Sequence, residues 1–291
     1  MSDLFSAFFS YAFLTRALAA GVLIALCAAL LGVSLVLKNY ALIGDGLSHV
    51  GFGALAVAAA ANLAPLTLAV PIVIAAAFLL LRLRGRGAIR GDSAIALVST
   101  SALALGVIVS SLYGMNTDLS AYLFGSILSM SRSDVVLSGV LCGVVLLLYI
   151  VFYHKIFSVT FDENFARATG IRTGFYDSLL AVLTAVTVVL GMRLMGTLLI
   201  SSLIIFPALS AMRVCRRFQS VVAVSSVISV TCVVAGLSAS YVLSTPAGAS
   251  VVAANAIVFA AFALTGAILA RRARRRMLQK PDNAAGERET L

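Results

Sequence analysis

Long uninterrupted runs of apolar residues constrain this chain more than any other feature of its sequence. Crossing the hydrocarbon core of a bilayer takes about 20 helical residues, and nine runs have roughly that length. A membrane β-barrel would instead show segments of about ten residues with alternating polarity, which this sequence lacks. The runs cover residues 12–37, 41–61, 65–82, 93–112, 134–153, 176–192, 196–214, 219–242 and 248–270.

The composition supports a membrane protein. Of the 291 residues, 62% are hydrophobic and 11% are charged, whereas soluble chains have about 45–50% and about 25%. We therefore predict an all-α, polytopic integral membrane protein with eight or nine transmembrane helices in one domain, residues 1–270. A short apolar piece at 121–130 predicts a re-entrant or interfacial half-helix, and the basic tail, residues 271–291, is predicted to be disordered and cytoplasmic.

The basic residues are distributed asymmetrically about these runs. If the nine runs alternate in direction, eighteen of the 21 Lys and Arg residues lie on one side of the membrane. The positive-inside rule then places the C-terminus in the cytoplasm and the N-terminus outside. The net charge of +10 indicates topology and contact with membrane lipid rather than nucleic-acid binding, because its densest cluster, residues 271–276, follows the last apolar run.

One acidic residue lies inside an apolar run. Asp45 belongs to the second run, whereas the other ten acidic residues lie in loops, tails or run ends. A carboxylate near the centre of a membrane helix costs about 2.5–3.5 kcal/mol, so it usually faces a polar interior or a pathway. His49 follows four residues later, on the same helical face and about 6 Å along the axis. Carboxylate oxygen and imidazole nitrogen together suit a divalent transition metal such as Zn²⁺ or Mn²⁺.

Two structural interpretations of Asp45 and His49 compete with metal binding. The side chains could form a buried ion pair that binds nothing, or Asp45 could lie at the cytoplasmic interface and cap the second helix. Four glycines between residues 44 and 53 favour a transport site, because they weaken the helix and permit close backbone approach. Two ligands are too few for tight binding, which suits an ion that must leave again.

The longest internal loop predicts a short amphipathic helix at about 161–170. Phe161, Phe165 and Ala168 recur at i, i+4 and i+7 and form one apolar stripe. Acidic residues open the segment and Gly170 is suited to end it. This helix could lie on the membrane surface or dock into a groove of a cytoplasmic partner.

A hydroxyl-rich stretch occupies residues 196–207. Thr197, Ser201 and Ser202 precede a mid-run Pro207, which predicts a kinked, partly polar helix that lines a pathway. Hydroxyls that bond to their own helix would explain the same residues without a pathway.

The sequence contains none of three common catalytic motifs. It has no G-x-x-x-x-G-K-[ST] phosphate-binding loop, no H-E-x-x-H and no G-x-S-x-G. We therefore predict a transport subunit and not an enzyme, without a permanently bound cofactor.

Five segments, in this order, carry a resemblance to a known family: residues 44–49, 121–125, 161–167, 196–208 and 245–252. Through them the sequence resembles the permease subunits of bacterial zinc, manganese and iron ABC importers from about residue 19 to 270. One departure is Gly46, where we expect alanine or threonine, and it adds flexibility beside Asp45.

The resemblance implies the all-helical fold of the vitamin B12 and siderophore importers, placed in the bacterial inner membrane. It implies three kinds of partner: a second copy of the chain, cytoplasmic ATPase subunits and an extracytoplasmic metal-binding protein. On this analogy Asp45 and His49 contact the transported ion, and residues 245–248 favour zinc over manganese or iron. The residues that would contact the ATPase are Phe161, Asp162, Glu163, Phe165, Ala166, Arg167 and Gly170.

Two other hypotheses fit the residues taken alone. A proton-coupled secondary transporter or channel would use Asp45 as its proton carrier, although the inverted repeats of many such folds are not evident here. A membrane scaffold that holds a partner through the 161–170 helix would not need Asp45.

Overall fold

The computed structural model describes residues 12–85, 91–113, 125 and 132–278, and every regular element in these ranges is an α-helix. The helices are α1 (Ala12–Leu37), α2 (Ile43–Ala60), α3 (Pro65–Gly85), α4 (Gly91–Leu112), α5 (Arg132–Val151), α6 (Tyr153–Phe161), α7 (Glu163–Ala168), α8 (Thr173–Met195), α9 (Thr197–Val214), α10 (Phe218–Leu243) and α11 (Ala247–Leu278).

The predicted set of membrane helices is confirmed. Among the described residues, eight helices are each long and apolar enough to cross a membrane, namely α1 to α4 and α8 to α11. Helices α5 and α6 meet the same criterion only together, and they are bent by 69° where they meet at Phe152. The fifth apolar run therefore corresponds to α5, and at its end the chain bends into α6 instead of continuing as one straight helix.

The core forms where α1, α8 and α9 pack together. Lipid is as apolar as a leucine side chain, so close packing of the helices, rather than escape from water, holds them to one another. Gly32 of α1 permits the closest approach, since an added Cβ would lie 2.2 Å from the backbone oxygen of Ile204 in α9. The largest fully buried side chains of these three helices include Ile24, Leu31, Leu190, Ile200 and Leu203.

The outer helices present apolar surface away from this core. In α8, 72% of the span is buried inside the protein, compared with 17% in α4 and 11% in α11. Such exposed apolar surface is suited to contact with lipid or with another membrane chain.

A tight turn joins α1 to α2 and sets where α2 begins. Asn39 adopts a left-handed conformation with φ of 57°, and Tyr40 N–H donates to the Leu35 carbonyl at 2.7 Å. This pattern ends α1 in the manner of a Schellman motif. Lys38, in the same turn, forms an ion pair with Asp177 of α8. The turn is thereby attached to α8, immediately before α2.

The last helix is longer than the sequence predicted. Helix α11 continues to Leu278, so residues 271–278 are helical and not disordered. Arg, Ala, Met and Leu are good helix formers, and neither Gly nor Pro occurs after residue 270 until Pro281. Residues 279–291 lie outside the described residues, as does the predicted re-entrant segment 121–130 apart from Gly125.

Candidate functional site

Asp45 is the third residue of α2. The N-cap of this helix is Leu42, which supplies no side-chain hydrogen bond, and the Asp45 carboxylate points elsewhere. Its Oδ1 accepts a hydrogen bond from Ser201 Oγ of α9 at 3.3 Å. The structure therefore does not support the interpretation of Asp45 as a capping residue, although a negative charge in the first turn is favourable to the helix dipole.

His49 lies one turn further along α2, on the same face as Asp45. Its Nε2 is 3.7 Å from Asp45 Oδ2, which is too long for a hydrogen bond. Two ligands of a tetrahedral zinc ion, each at about 2.0–2.1 Å from the metal, lie about 3.4 Å apart. The Asp45 and His49 atoms are thus close to the separation that a shared metal ion requires.

The side chains of Asp45 and His49 are accessible at the surface of the chain. The side chain of Asp45 is 48% exposed and that of His49 is 24% exposed, whereas Leu47 and Ser48 between them are buried. In the part of the chain that the structure describes, no third His, Cys, Asp or Glu joins the pair. One chain therefore offers two side chains of metal-ligand type on an accessible face, beside the Ser201 hydroxyl.

The glycines near Asp45 allow close packing without breaking α2. A Cβ at Gly46 would lie 2.5 Å from Cγ2 of Ile95 in α4, and a Cβ at Gly53 would lie 2.7 Å from the backbone oxygen of Ala102 in the same helix. The helix remains continuous from Ile43 to Ala60. The glycines thus bring α2 close to α4, which differs from the weakened helix suggested by the sequence.

The structure brings only one of the four predicted pathway residues to the pair. Ser201 is half-buried and contacts Asp45, whereas Thr197, Ser202 and Pro207 are buried inside the chain. Ser202 donates to the carbonyl of Leu199 in its own helix at 2.8 Å, as the alternative interpretation anticipated for such hydroxyls.

The predicted cytoplasmic helix exists as α7 but is shorter than 161–170. Asp162 is extended, with φ of −147° and ψ of 99°, and its Oδ1 accepts from the N–H of Phe165 at 2.9 Å. This N-cap separates Phe161, the last residue of α6, from α7, so the predicted single stripe is divided between two helices. Gly170 ends the segment as predicted, with φ of 83°.

Helix α7 is attached to the protein by one small residue, and two large apolar side chains at the α6–α7 corner point outward. Ala166 is fully buried, whereas Phe161 is 74% exposed and Phe165 is 64% exposed. Glu163 and Arg167 pair across one turn at 2.9 Å. Exposed phenylalanines on a loop that is rigidly capped are typical of a surface that contacts another protein.

Two contacts that position the site were not predicted from the sequence. The Ser201–Asp45 hydrogen bond joins residues 156 positions apart, and no local pattern signals it. The Lys38–Asp177 ion pair joins α1 to α8. A local signal for it did exist, since Asp177 is a lone acid about one turn inside a helix that is otherwise largely apolar.

Comparison with known proteins places this chain among transport proteins. A family model described as the ABC 3 transport family matches residues 10–265. The chain is 30% identical over 247 residues to the manganese import system permease protein ScaB of Streptococcus gordonii, covering 85% of this chain and 89% of that one. It is 32% identical over 244 residues to the high-affinity zinc uptake system membrane protein ZnuB of Haemophilus influenzae, covering 84% and 94%.

Solved structures show the same architecture. A chain of PsaBC from Streptococcus pneumoniae, determined in complex with Fab, superposes with a TM-score of 0.81 at 30% identity, over 90% of this chain and 94% of that chain. A metal-chelate type ABC transporter in an inward-facing conformation superposes with a TM-score of 0.66 at 16% identity, over 87% and 86%. The second similarity is one of fold alone.

Proposed function

The chain belongs to the ABC 3 transport family. We propose that it is the permease through which an ABC importer moves a divalent metal ion into the cytoplasm, and that this ion is zinc. The observation that carries this proposal is the exposed Asp45–His49 pair, in which Asp45 Oδ2 and His49 Nε2 are 3.7 Å apart. The relatives are permease subunits of metal transport systems, so the chain is a transport component and ATP hydrolysis belongs to a separate chain. This family membership favours ATP as the energy source over the proton-coupled alternative.

A second copy of the chain would complete the metal site. One chain contributes a carboxylate and an imidazole on an accessible face, and two copies facing each other would contribute four donors. Four is the coordination number that zinc adopts most often in proteins. Ligands divided between two chains separate when the chains move apart, which would release the ion without breaking either fold.

Zinc is the proposed cargo and manganese the main competitor. Relatives of similar identity are named for manganese and for zinc, so the similarity alone does not choose between them. Two carboxylates and two imidazoles form a mixed oxygen and nitrogen set that suits tetrahedral zinc, whereas manganese prefers six ligands, mostly oxygen. The sequence element at 245–248 favours zinc as well.

The α6–α7 corner is the proposed contact with the ATPase. Phe161 and Phe165 are exposed there, and Ala166 fixes α7 to the rest of the chain. Because α7 is capped and held by the buried Ala166, it would move as one unit with the rest of the chain when a partner moves. We propose that this corner faces the cytoplasm of a bacterial cell, with the N-terminus and a metal-binding protein on the outer side of the inner membrane, in accordance with the distribution of Lys and Arg.

The proposal is tested by metal uptake into proteoliposomes that contain the chain, its ATPase and its binding protein. We expect zinc to accumulate only with hydrolysable ATP inside the vesicles, where the ATPase lies, and unlabelled zinc to compete at lower concentrations than manganese or iron. Uptake that ignores ATP and collapses with a proton ionophore would overturn the importer. ATP-driven uptake of manganese in preference to zinc would leave the importer intact and change the cargo.

A further inference from the structure

A cleft separate from the Asp45–His49 pair opens between α6 and the beginning of α10. Its volume is about 400 Å³, within the range of small-molecule sites. The side chains that matter for its chemistry are Tyr153, Phe157, Phe161, Phe218, Arg216 and Arg217.

One wall of this cleft is continuous aromatic surface. The ring of Phe157 lies 4.9 Å from that of Phe218 and 5.8 Å from that of Phe161, measured between centroids. Tyr153 extends the wall, with its ring 5.7 Å from Phe218. This wall provides an apolar face that suits a hydrocarbon chain.

The other side of the cleft is cationic. Arg216 and Arg217 are both exposed, and neither forms an ion pair with any residue in the described ranges. No acidic side chain of those ranges lines the cleft. Guanidinium groups bind phosphate oxygens in a planar, two-pronged geometry, so the cleft combines an anion-binding edge with an apolar wall.

The cleft lies where the apolar span of α10 begins. The span of α10 begins at Phe218, immediately after Arg217, and α6 turns away from α5 by 69°. The arginines are therefore placed at the depth of lipid headgroups and the aromatic wall at the depth where acyl chains begin.

We propose that this cleft binds one anionic glycerophospholipid. The phosphate would be held by Arg216 and Arg217, and the first part of an acyl chain would lie along Phe157 and Phe218. The competing occupant is an acidic surface of the ATPase, because Phe161 lines the cleft and directly precedes α7. The lipid is favoured because the ligand must be anionic at one edge, apolar along the other, and present at the membrane boundary.

The test uses the full chain, purified without ATPase, and native mass spectrometry with added phosphatidylglycerol or phosphatidylcholine. We expect one phosphatidylglycerol to bind in preference to phosphatidylcholine. Replacing both arginines in Arg216→Gln/Arg217→Gln should weaken that binding about tenfold to thirtyfold. The charge-conserving Arg216→Lys/Arg217→Lys variant should retain most of it. The matched control is Lys155→Gln/Arg172→Gln, which removes two cations from a neighbouring cleft and should bind like the wild type.

Four results would overturn the lipid site. Unchanged phosphatidylglycerol binding in Arg216→Gln/Arg217→Gln would do so directly. An equal loss in the Lys155→Gln/Arg172→Gln control would show a general effect of charge. Unchanged lipid binding together with lost co-purification of the ATPase would assign the arginines to that partner. Displacement of the lipid by millimolar inorganic phosphate as effectively as by phosphatidylglycerol would show a site for phosphate alone.

Discussion

The hydroxyl of Ser201 lies 3.3 Å from Oδ1 of Asp45, while the other oxygen of this carboxylate faces His49 at 3.7 Å. The hydrogen bond therefore orients the carboxylate and leaves Oδ2 without this contact, available to the metal ion proposed above. Because Ser201 belongs to α9, the position of the Asp45 carboxylate on α2 depends on how these two helices pack.

Replacing Ser201 by alanine should weaken metal uptake without abolishing it. We expect the KM for zinc to rise about three- to tenfold, because one hydrogen bond to a charged group is lost, while Ser201→Thr keeps the hydroxyl and stays near wild type. The matched control is Ser210→Ala in the same helix, whose hydroxyl bonds only to the Phe206 carbonyl. Identical uptake by Ser201→Ala and Ser210→Ala would contradict the positioning role.

Replacing Gly32 by alanine should destabilise the protein. The added Cβ would lie 2.2 Å from the Ile204 backbone oxygen, so α1 and α9 must move apart, at a cost of about 1–3 kcal/mol. Gly139→Ala in α5 is the control, because nothing lies within 4 Å of its added Cβ. Thermal unfolding in detergent should show a lower Tm for Gly32→Ala only; equal values for the two variants would argue against this packing.

Breaking the Lys38–Asp177 ion pair should lower stability more than breaking an exposed pair. The two side chains are 11% and 21% exposed, so Lys38→Met or Asp177→Asn removes this ion pair while one partly buried charge remains, at about 1–3 kcal/mol. The double variant Lys38→Met/Asp177→Asn should lose less than the sum of the two single losses. Arg167→Met, which removes an exposed pair, should change stability by no more than about 0.5 kcal/mol. Additive losses in the Lys38 and Asp177 cycle would show that the pair is not coupled.

Replacing Phe165 by alanine should uncouple the ATPase without unfolding the chain. The side chain is 64% exposed, so its loss costs little stability and instead removes apolar contact with a partner. We expect co-purification of the ATPase to fall at least tenfold while the Tm of the isolated chain is retained. Leu243→Ala, equally exposed at the far end of α10, should bind the ATPase normally. Retained ATPase binding by Phe165→Ala would remove this residue from the proposed contact.

The membrane helices and the placement of Asp45 and His49 on one helical face could be predicted from the sequence because both depend on local pattern. Apolar runs directly report the length of chain that can cross a bilayer, and a spacing of four places two side chains on one helical face. The end of the segment at Gly170 could also be predicted locally, because glycine adopts the left-handed conformation more easily than other residues.

The features that were not predicted depend on packing or on weak local preferences. Ser201 and Ser202 are adjacent and chemically alike, yet only Ser201 meets Asp45, because the orientation of α9 decides which one does. The bend at Phe152 has no glycine or proline at the break to announce it. The predicted single helix at 161–170 is broken because Asp162 is extended and acts as the N-cap of α7. Phe161 therefore ends α6 instead of beginning the next helix.

The most direct test of the account is radioactive zinc uptake by cells that express the chain with its ATPase and binding protein, as wild type, Asp45→Asn and His49→Gln. Asp45→Asn keeps an oxygen that can accept from Ser201 and removes the charge, so the fold should be retained. With membrane levels and ATPase co-purification equal in all three, we predict that uptake falls at least tenfold in both variants. Wild-type uptake in both variants would contradict the assignment of Asp45 and His49 to the metal pathway.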